Sequence, residues 1–151
     1  MTDFIQIPFR QKSWFGIPRD SDFSLQNLPF GIFRTAALPE TRVGLALGDS
    51  VIDTAVLFDT GLLAGVSGLR RDHLVTDSLN ALLAAGPSVW RALRGRVAEL
   101  FTAGNDTLVR QADLHARVLV KASLAQLQLP TKVSNYVDFY SSREHASNVG
   151  A

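Results

Sequence analysis

The side chains best suited to chemistry are concentrated in one stretch, residues 136–145. It combines aromatic rings, carboxylates, an arginine and a histidine in the order YVDFYSSREH. Asp138 and His145 are seven residues apart, so on a helix they would share one face. Across a strand-to-helix turn they could also line one cavity. This spacing makes the pair the first candidate for a reactive site.

Two kinds of chemistry suit this pair. In a metal site, Asp138 would serve as a hard oxygen ligand. In a hydrolytic site, His145 would act as a general base on water. The simpler alternative is a capping aspartate and a surface histidine, with Tyr136 and Tyr140 as amphipathic core residues. The spacing alone leaves all three open.

The remainder of the chain offers fewer reactive groups. It contains no cysteine, which excludes a disulfide framework, a thiolate nucleophile and a cysteine-ligated zinc. His73 and His115 have no second ligand at metal-binding spacing, so we predict structural roles for both. The sequence also lacks a nucleophile elbow, a Walker loop and a dinucleotide fingerprint.

The composition predicts a folded protein, since 46% of the 151 residues are hydrophobic and 19% are charged. A net charge of +1 gives no strong attraction to nucleic acid or anionic membrane. Arg91, Arg94 and Arg96 could form an anion-binding patch, but a solvated helix face is the simpler interpretation. No apolar run approaches the ~20 residues of a membrane span, and the N-terminus lacks signal-peptide features. We therefore expect a cytoplasmic protein that binds neither nucleic acid nor membranes.

Strand patterns dominate the first part of the chain, and helical patterns dominate the middle. Period-2 alternation predicts a hairpin of 42–47 with 51–54 around a Gly48-Asp49 turn, preceded by a strand over 30–34. Helical spacing follows, and a boundary is expected near 128–132. The predicted helices are 79–85 (capped by Asp77 or Ser78), 88–103, and 107–116 (capped by Asp106), before a short strand over 118–120.

Three motifs together resemble one enzyme family. Residues 136–150, YVDFYSSREHASNVG, are close to a family signature, DYTDFYSSRQHATNVG. Upstream, DFSLQNLPFGIF over 22–33 resembles DFPxxNLPYGVF, and RVGLALGD over 42–49 resembles RIGVAIGD. The motifs occur in the family's order and at similar spacing. The chain therefore resembles the fumarylacetoacetase family along its whole length.

This resemblance implies a fold and a reaction. The expected fold is β-rich α+β, with a small SH3-like β-barrel and accompanying helices over 1–128. Residues 129–151 would begin a larger β-rich catalytic domain. The implied reaction is metal-dependent hydrolysis of a carbon–carbon bond in 4-fumarylacetoacetate, which gives fumarate and acetoacetate in tyrosine and phenylalanine catabolism. The enzyme would be a hydrolase of ketonic carbon–carbon bonds and a homodimer.

The resemblance also implies roles for individual residues. Asp138 matches a metal ligand, His145 the base that activates water, and Tyr140 a substrate contact. The implied cofactor is Ca²⁺, Mg²⁺ or both, and the family's remaining metal carboxylates lie downstream of this stretch. Glu144 replaces a glutamine beside the base and, if it comes close, would raise the pKa of His145. The alternative is a non-catalytic SH3-like module for docking or assembly.

Overall fold

The computed structural model describes residues 7–139 and 142–150. They form an antiparallel sheet, five helices, and two single 3₁₀ turns at Arg71–His73 and Ala122–Leu124. The strands are β1 (Phe30–Arg34), β2 (Arg42–Leu47), β3 (Ser50–Asp53), β4 (Leu119–Lys121) and β5 (Gln126–Gln128). The helices are α1 (Thr54–Asp59), α2 (Asn80–Ala84), α3 (Pro87–Phe101), α4 (Ala112–Val118) and α5 (Arg143–Val149).

The strands lie in the order β4-β3-β2-β1-β5, and every neighbouring pair is antiparallel. The sheet curls into a half-barrel, which confirms the β-rich α+β class. The predicted hairpin is also confirmed. Leu47 pairs with Ser50 across a two-residue turn, and Gly48 adopts φ +60°, as a turn with a left-handed first position requires. Closure into an SH3-like barrel stays a prediction.

Alternation along the strands separates the two faces of the sheet. Val43, Leu45 and Leu47 of β2 enter the main core, which lies between the sheet and the helices. Phe33 and Val51 are also buried but lie outside that cluster, on the face that carries Gly44 and Ala46. The period-2 pattern in the sequence therefore specified which side chains face the helices.

Gly44 is required by close packing on the second face. A Cβ at this position would overlap the Val51 side chain and lie 2.9 Å from the Phe33 ring. Gly31 pairs with Gly44 across β1 and β2, but a Cβ there would meet nothing within 4 Å. Gly31 and Gly44 therefore occupy paired positions in the sheet, but only Gly44 lacks room for a Cβ atom.

We expect Gly44→Ala to lower the free energy of unfolding by about 1–3 kcal/mol, because the added methyl group overpacks the sheet. Gly31→Ala should be neutral or stabilising by up to about 1 kcal/mol, since it only restricts the unfolded chain. Urea denaturation of both variants checks this. Equal losses of stability would contradict the packing explanation.

The helix boundaries differ from the sequence prediction for local reasons. α2 begins without a side-chain cap from Asp77 or Ser78, so that predicted cap is wrong. Gly86 follows α2 with φ +94°, and α3 begins at Pro87, one residue before the predicted start at 88. The third helix was predicted too early: it starts at Ala112 because the chain before it forms turns. There the Asn105 carboxamide accepts from the Thr107 amide, and Asp106 pairs with Arg110.

Two of the three arginines on α3 bind neighbouring segments. Arg94 donates to the carbonyl oxygen of Gln26, and Arg96 donates to that of Leu62 while its other nitrogen pairs with Glu99. Arg91 lies 5.1 Å from the centre of the Trp90 ring. Arg94 and Arg96 are therefore partly buried and hydrogen-bonded to other segments of the fold, and they do not form the solvated helix face that the sequence favoured.

No helix in the described part of the chain is long and apolar enough to cross a bilayer.

Candidate functional site

The segment that carries the predicted site leaves the sheet at the end of β5. From residue 129 to 139 it has no regular secondary structure, and every residue is exposed. Asp138 lies in this extended stretch with its side chain accessible to solvent. Tyr140, the predicted substrate contact, lies outside the described residues. The structure therefore presents the predicted metal ligand on an open surface.

His145 lies in the first turn of α5. Ser142 caps this helix, because its hydroxyl accepts a hydrogen bond from the His145 amide at 3.2 Å. The same hydroxyl donates to the Glu144 carboxylate at 3.0 Å. A hydrogen bond from the Glu144 backbone amide holds the pKa of the Glu144 carboxyl group below its usual range, and the hydrogen bond from the Ser142 hydroxyl lowers it further. The Glu144 carboxylate thus binds the start of the helix, and an effect on the His145 pKa stays a prediction.

The described residues do not make a metal site by themselves. They contain no group of three or more histidine and acidic side chains placed to hold an ion. Asp138 offers one carboxylate, whereas Ca²⁺ takes about six to eight oxygen ligands. A calcium site that used Asp138 would therefore need further ligands from outside the described residues.

A clamp holds the root of this segment, where residues 130–132 lie against the start of α2. The Asn80 carboxamide donates to the carbonyl oxygen of Lys132 at 2.9 Å and accepts from the Lys132 amide at 3.1 Å. The Leu79 amide donates to the carbonyl oxygen of Pro130 at 2.7 Å. The Lys132 ammonium group lies 2.6 Å from the Asp77 carboxylate. The Pro130–Lys132 clamp thus fixes the point from which residues 133–150 depart.

Both members of the Asp77–Lys132 pair in the clamp are exposed, and the Asp77 carboxyl group is ionised at neutral pH. The hydrogen bond from Lys132 holds the pKa of Asp77 below its ordinary value. A carboxyl group with a lowered pKa contributes stability above its unfolded pKa and loses it as pH falls through the folded pKa. Acid therefore weakens this contact of the clamp, whereas the hydrogen bonds of Asn80 do not titrate.

We expect Asn80→Ala to increase the exchange rate of the Lys132 amide by roughly fivefold, because one net hydrogen bond is worth about 1 kcal/mol. Amide exchange followed by NMR measures it, and tryptic cleavage after Lys132 should accelerate with it. Asn135→Ala is the control, since that exposed side chain forms no hydrogen bond with any described residue. Unchanged exchange at Lys132 would contradict the clamp.

The other two histidines lie within the fold. His73 is buried, and its Nδ1 accepts from the Arg70 amide at 3.3 Å. The His115 ring meets the Trp14 ring edge-on, with 5.3 Å between centres. Trp14 in turn stacks on Phe101 at 5.2 Å. Both positions agree with the structural roles expected from the sequence.

A buried ion pair at the adjacent ends of β2 and β3 escaped the sequence analysis. Asp53 is fully buried, and its Oδ2 accepts from Arg42 at 3.0 Å. Its Oδ1 accepts from the amides of Ala55 and Val56, which caps α1. An aspartate at the end of a strand before a short apolar run was the available signal. The pair joins β2, β3 and α1 and is structural, because hydrogen bonds within the fold occupy both carboxylate oxygens.

Comparison with known proteins places the chain in a family. Residues 26–130 match the family model described as "Fumarylacetoacetase N-terminal". Relatives named fumarylacetoacetase include those of Caenorhabditis elegans (37% identity, 92% of this chain), Mus musculus (34%, 91%) and Homo sapiens (32%, 91%). The chain spans about a third of the length of these relatives, 33% in each case. The chain belongs to the fumarylacetoacetase N-terminal family.

Proposed function

We propose that this chain is the N-terminal part of a fumarylacetoacetase, a hydrolase that cleaves 4-fumarylacetoacetate to fumarate and acetoacetate. The observation that carries the proposal is similarity over nine-tenths of the chain to proteins of that name. The motif with Asp138 and His145 supports it, because it supplies a hard oxygen ligand and a base that can act on water. We further propose that residues 1–128 form an SH3-like barrel and that 129–151 begin the catalytic domain.

In this proposal, His145 removes a proton from the attacking water. A neutral imidazole is suited to this role near pH 7. The water oxygen adds to the carbonyl carbon on the fumaryl side, and the bond from that carbon to the acetoacetyl carbon breaks. The electron pair leaves with the acetoacetyl carbon, which takes up a proton and gives acetoacetate. Tyr140 would contact the substrate.

Asp138 would contribute one oxygen ligand to Ca²⁺ or Mg²⁺. Its exposure on the extended segment leaves it accessible to an ion and to ligands from other parts of the protein. The parent protein, meaning the longer polypeptide of which this chain would be a part, would be a cytoplasmic homodimer. The alternative of a non-catalytic docking module has no specific observation in its favour.

The identity of the products tests the proposal. The parent protein is incubated with fumarylacetoacetate, and the products are followed by NMR with added Ca²⁺ or Mg²⁺. We expect fumarate and acetoacetate in equal amounts, because cleavage of one bond by one water yields one of each. A different product pair, or none with either metal, would contradict the proposed reaction.

A further inference from the structure

A concave site lies outside the segment that carries the candidate catalytic residues. It is a pocket of about 680 Å³ between the loop after β1, the end of α4 and β4. This volume is typical of small-molecule sites, which measure about 300–1,000 Å³. All its lining residues fall between positions 35 and 124, so none belongs to the stretch with Asp138 and His145.

The wall of the pocket is mainly aliphatic. Leu124 is 62% exposed and Leu38 is 38% exposed, so apolar carbon remains uncovered at the mouth. Large aliphatic side chains gain free energy when they are removed from water, at about 25 cal/mol per Å². An aliphatic ligand would cover this surface. The apolar side chains that line the pocket include Ala36, Ala37, Leu38, Val56, Leu119 and Leu124.

Two of the charged side chains that line the pocket are neutralised within the fold. Arg42 pairs with the buried Asp53 at 3.0 Å. Asp59 is bound by Arg71, whose Nε and Nη2 lie 2.8 and 3.2 Å from its two carboxylate oxygens. The hydrogen bond from Arg71 is the main cause that holds the pKa of Asp59 below its usual value, and the charges of Arg42 and Arg117 contribute smaller attractions.

The other two charged side chains are positive and form no direct ion pair with a described residue. Arg117, at the end of α4, and Lys121, at the end of β4, are exposed and form no ion pair or hydrogen bond with another described residue. Arginine binds carboxylates in a two-pronged geometry, and lysine binds them as a point charge. The pocket thus combines an aliphatic wall with a rim of two available cations.

We propose that this pocket binds a small aliphatic carboxylate, with its carboxylate between Arg117 and Lys121 and its alkyl chain along the wall. The matched polarity of wall and rim selects an anionic amphiphile over a neutral or cationic one. The proposal does not depend on the catalytic function, because the two sites share no residue.

Decanoate, below its micellar concentration, is the probe, and calorimetric titration of the 151-residue chain is the measurement. We expect saturable binding of one decanoate per chain. Arg117→Gln and Lys121→Gln should each weaken it by about tenfold, as loss of a hydrogen bond between charged groups does. Arg110→Gln is the control, because its guanidinium pairs with Asp106 and does not line this pocket.

Decyltrimethylammonium separates charge recognition from general apolar binding, and we expect it not to saturate the pocket. Thermal unfolding of the variants checks that they fold. No saturable decanoate binding, equal binding by the Arg117→Gln/Lys121→Gln double variant, or equal binding of the cationic amphiphile would overturn the proposal. So would decanoate binding to the chain that is absent in the parent protein, because another surface would then cover the pocket.

Discussion

Asp53→Ala is expected to lower the free energy of unfolding by about 3–5 kcal/mol, since it removes one partner of a buried ion pair. The variant leaves the Arg42 guanidinium, whose side chain is only 10% exposed, without its buried partner. It also removes the acceptor for the Ala55 and Val56 amides in the first turn of α1. Urea denaturation, with the slope checked for two-state behaviour, measures the loss.

Asp59→Ala is the matched control for that prediction. It also removes an aspartate from an Asp–Arg pair, but both side chains of that pair are about half exposed. Exposed pairs contribute about 0–1 kcal/mol, so the loss should stay within that range. If the two variants lose equal stability, burial of the Arg42–Asp53 pair is not the cause.

The second large effect concerns catalysis in the parent protein. His145→Ala should lower kcat by about 10²–10⁴-fold, because the attacking water then lacks a positioned proton acceptor. Metal affinity should change little. Asp138→Ala should weaken metal binding instead, because it removes a charged oxygen ligand. Steady-state kinetics and metal titration of both variants separate the two roles.

Glu144→Gln serves as the control for these variants. Its carboxylate accepts from Ser142 at the start of α5, so we expect kcat at the pH optimum to stay near the original value. Near-original kcat in His145→Ala would refute the assignment of the base. Loss of metal in His145→Ala with retention in Asp138→Ala would mean that base and ligand are exchanged.

A strand could be predicted from the sequence where one of its faces is buried. A strand that forms only because it pairs with a distant segment could not be predicted. β2 alternates Val43, Leu45 and Leu47 into the core, which is a strong local pattern. β5 is polar and exposed, and only its pairing with β1 makes it a strand. α1 escaped prediction because its sequence, TAVLFD, contains no helical period and depends on the Asp53 cap.

The residues of the candidate site could be proposed from the sequence, but their arrangement in space could not. The motif around Asp138 and His145 is readable because the reactive types are contiguous in sequence. The Pro130–Lys132 clamp joins side chains and backbone that are 52 residues apart, and no local pattern specifies such a contact. The cationic rim of the aliphatic pocket likewise depends on the fold, which leaves Arg117 and Lys121 without a direct ion pair to a described residue.

The most direct test of the central claim compares fumarylacetoacetate hydrolysis by the 151-residue chain and by the parent protein. The measurement is loss of the diketone absorbance with Ca²⁺ or Mg²⁺ present. We expect turnover by the parent and none above the buffer blank by the chain, because the described residues contain no group of three or more histidine and acidic side chains that could hold a metal ion. Turnover by the chain alone, or none by the parent, would contradict the account.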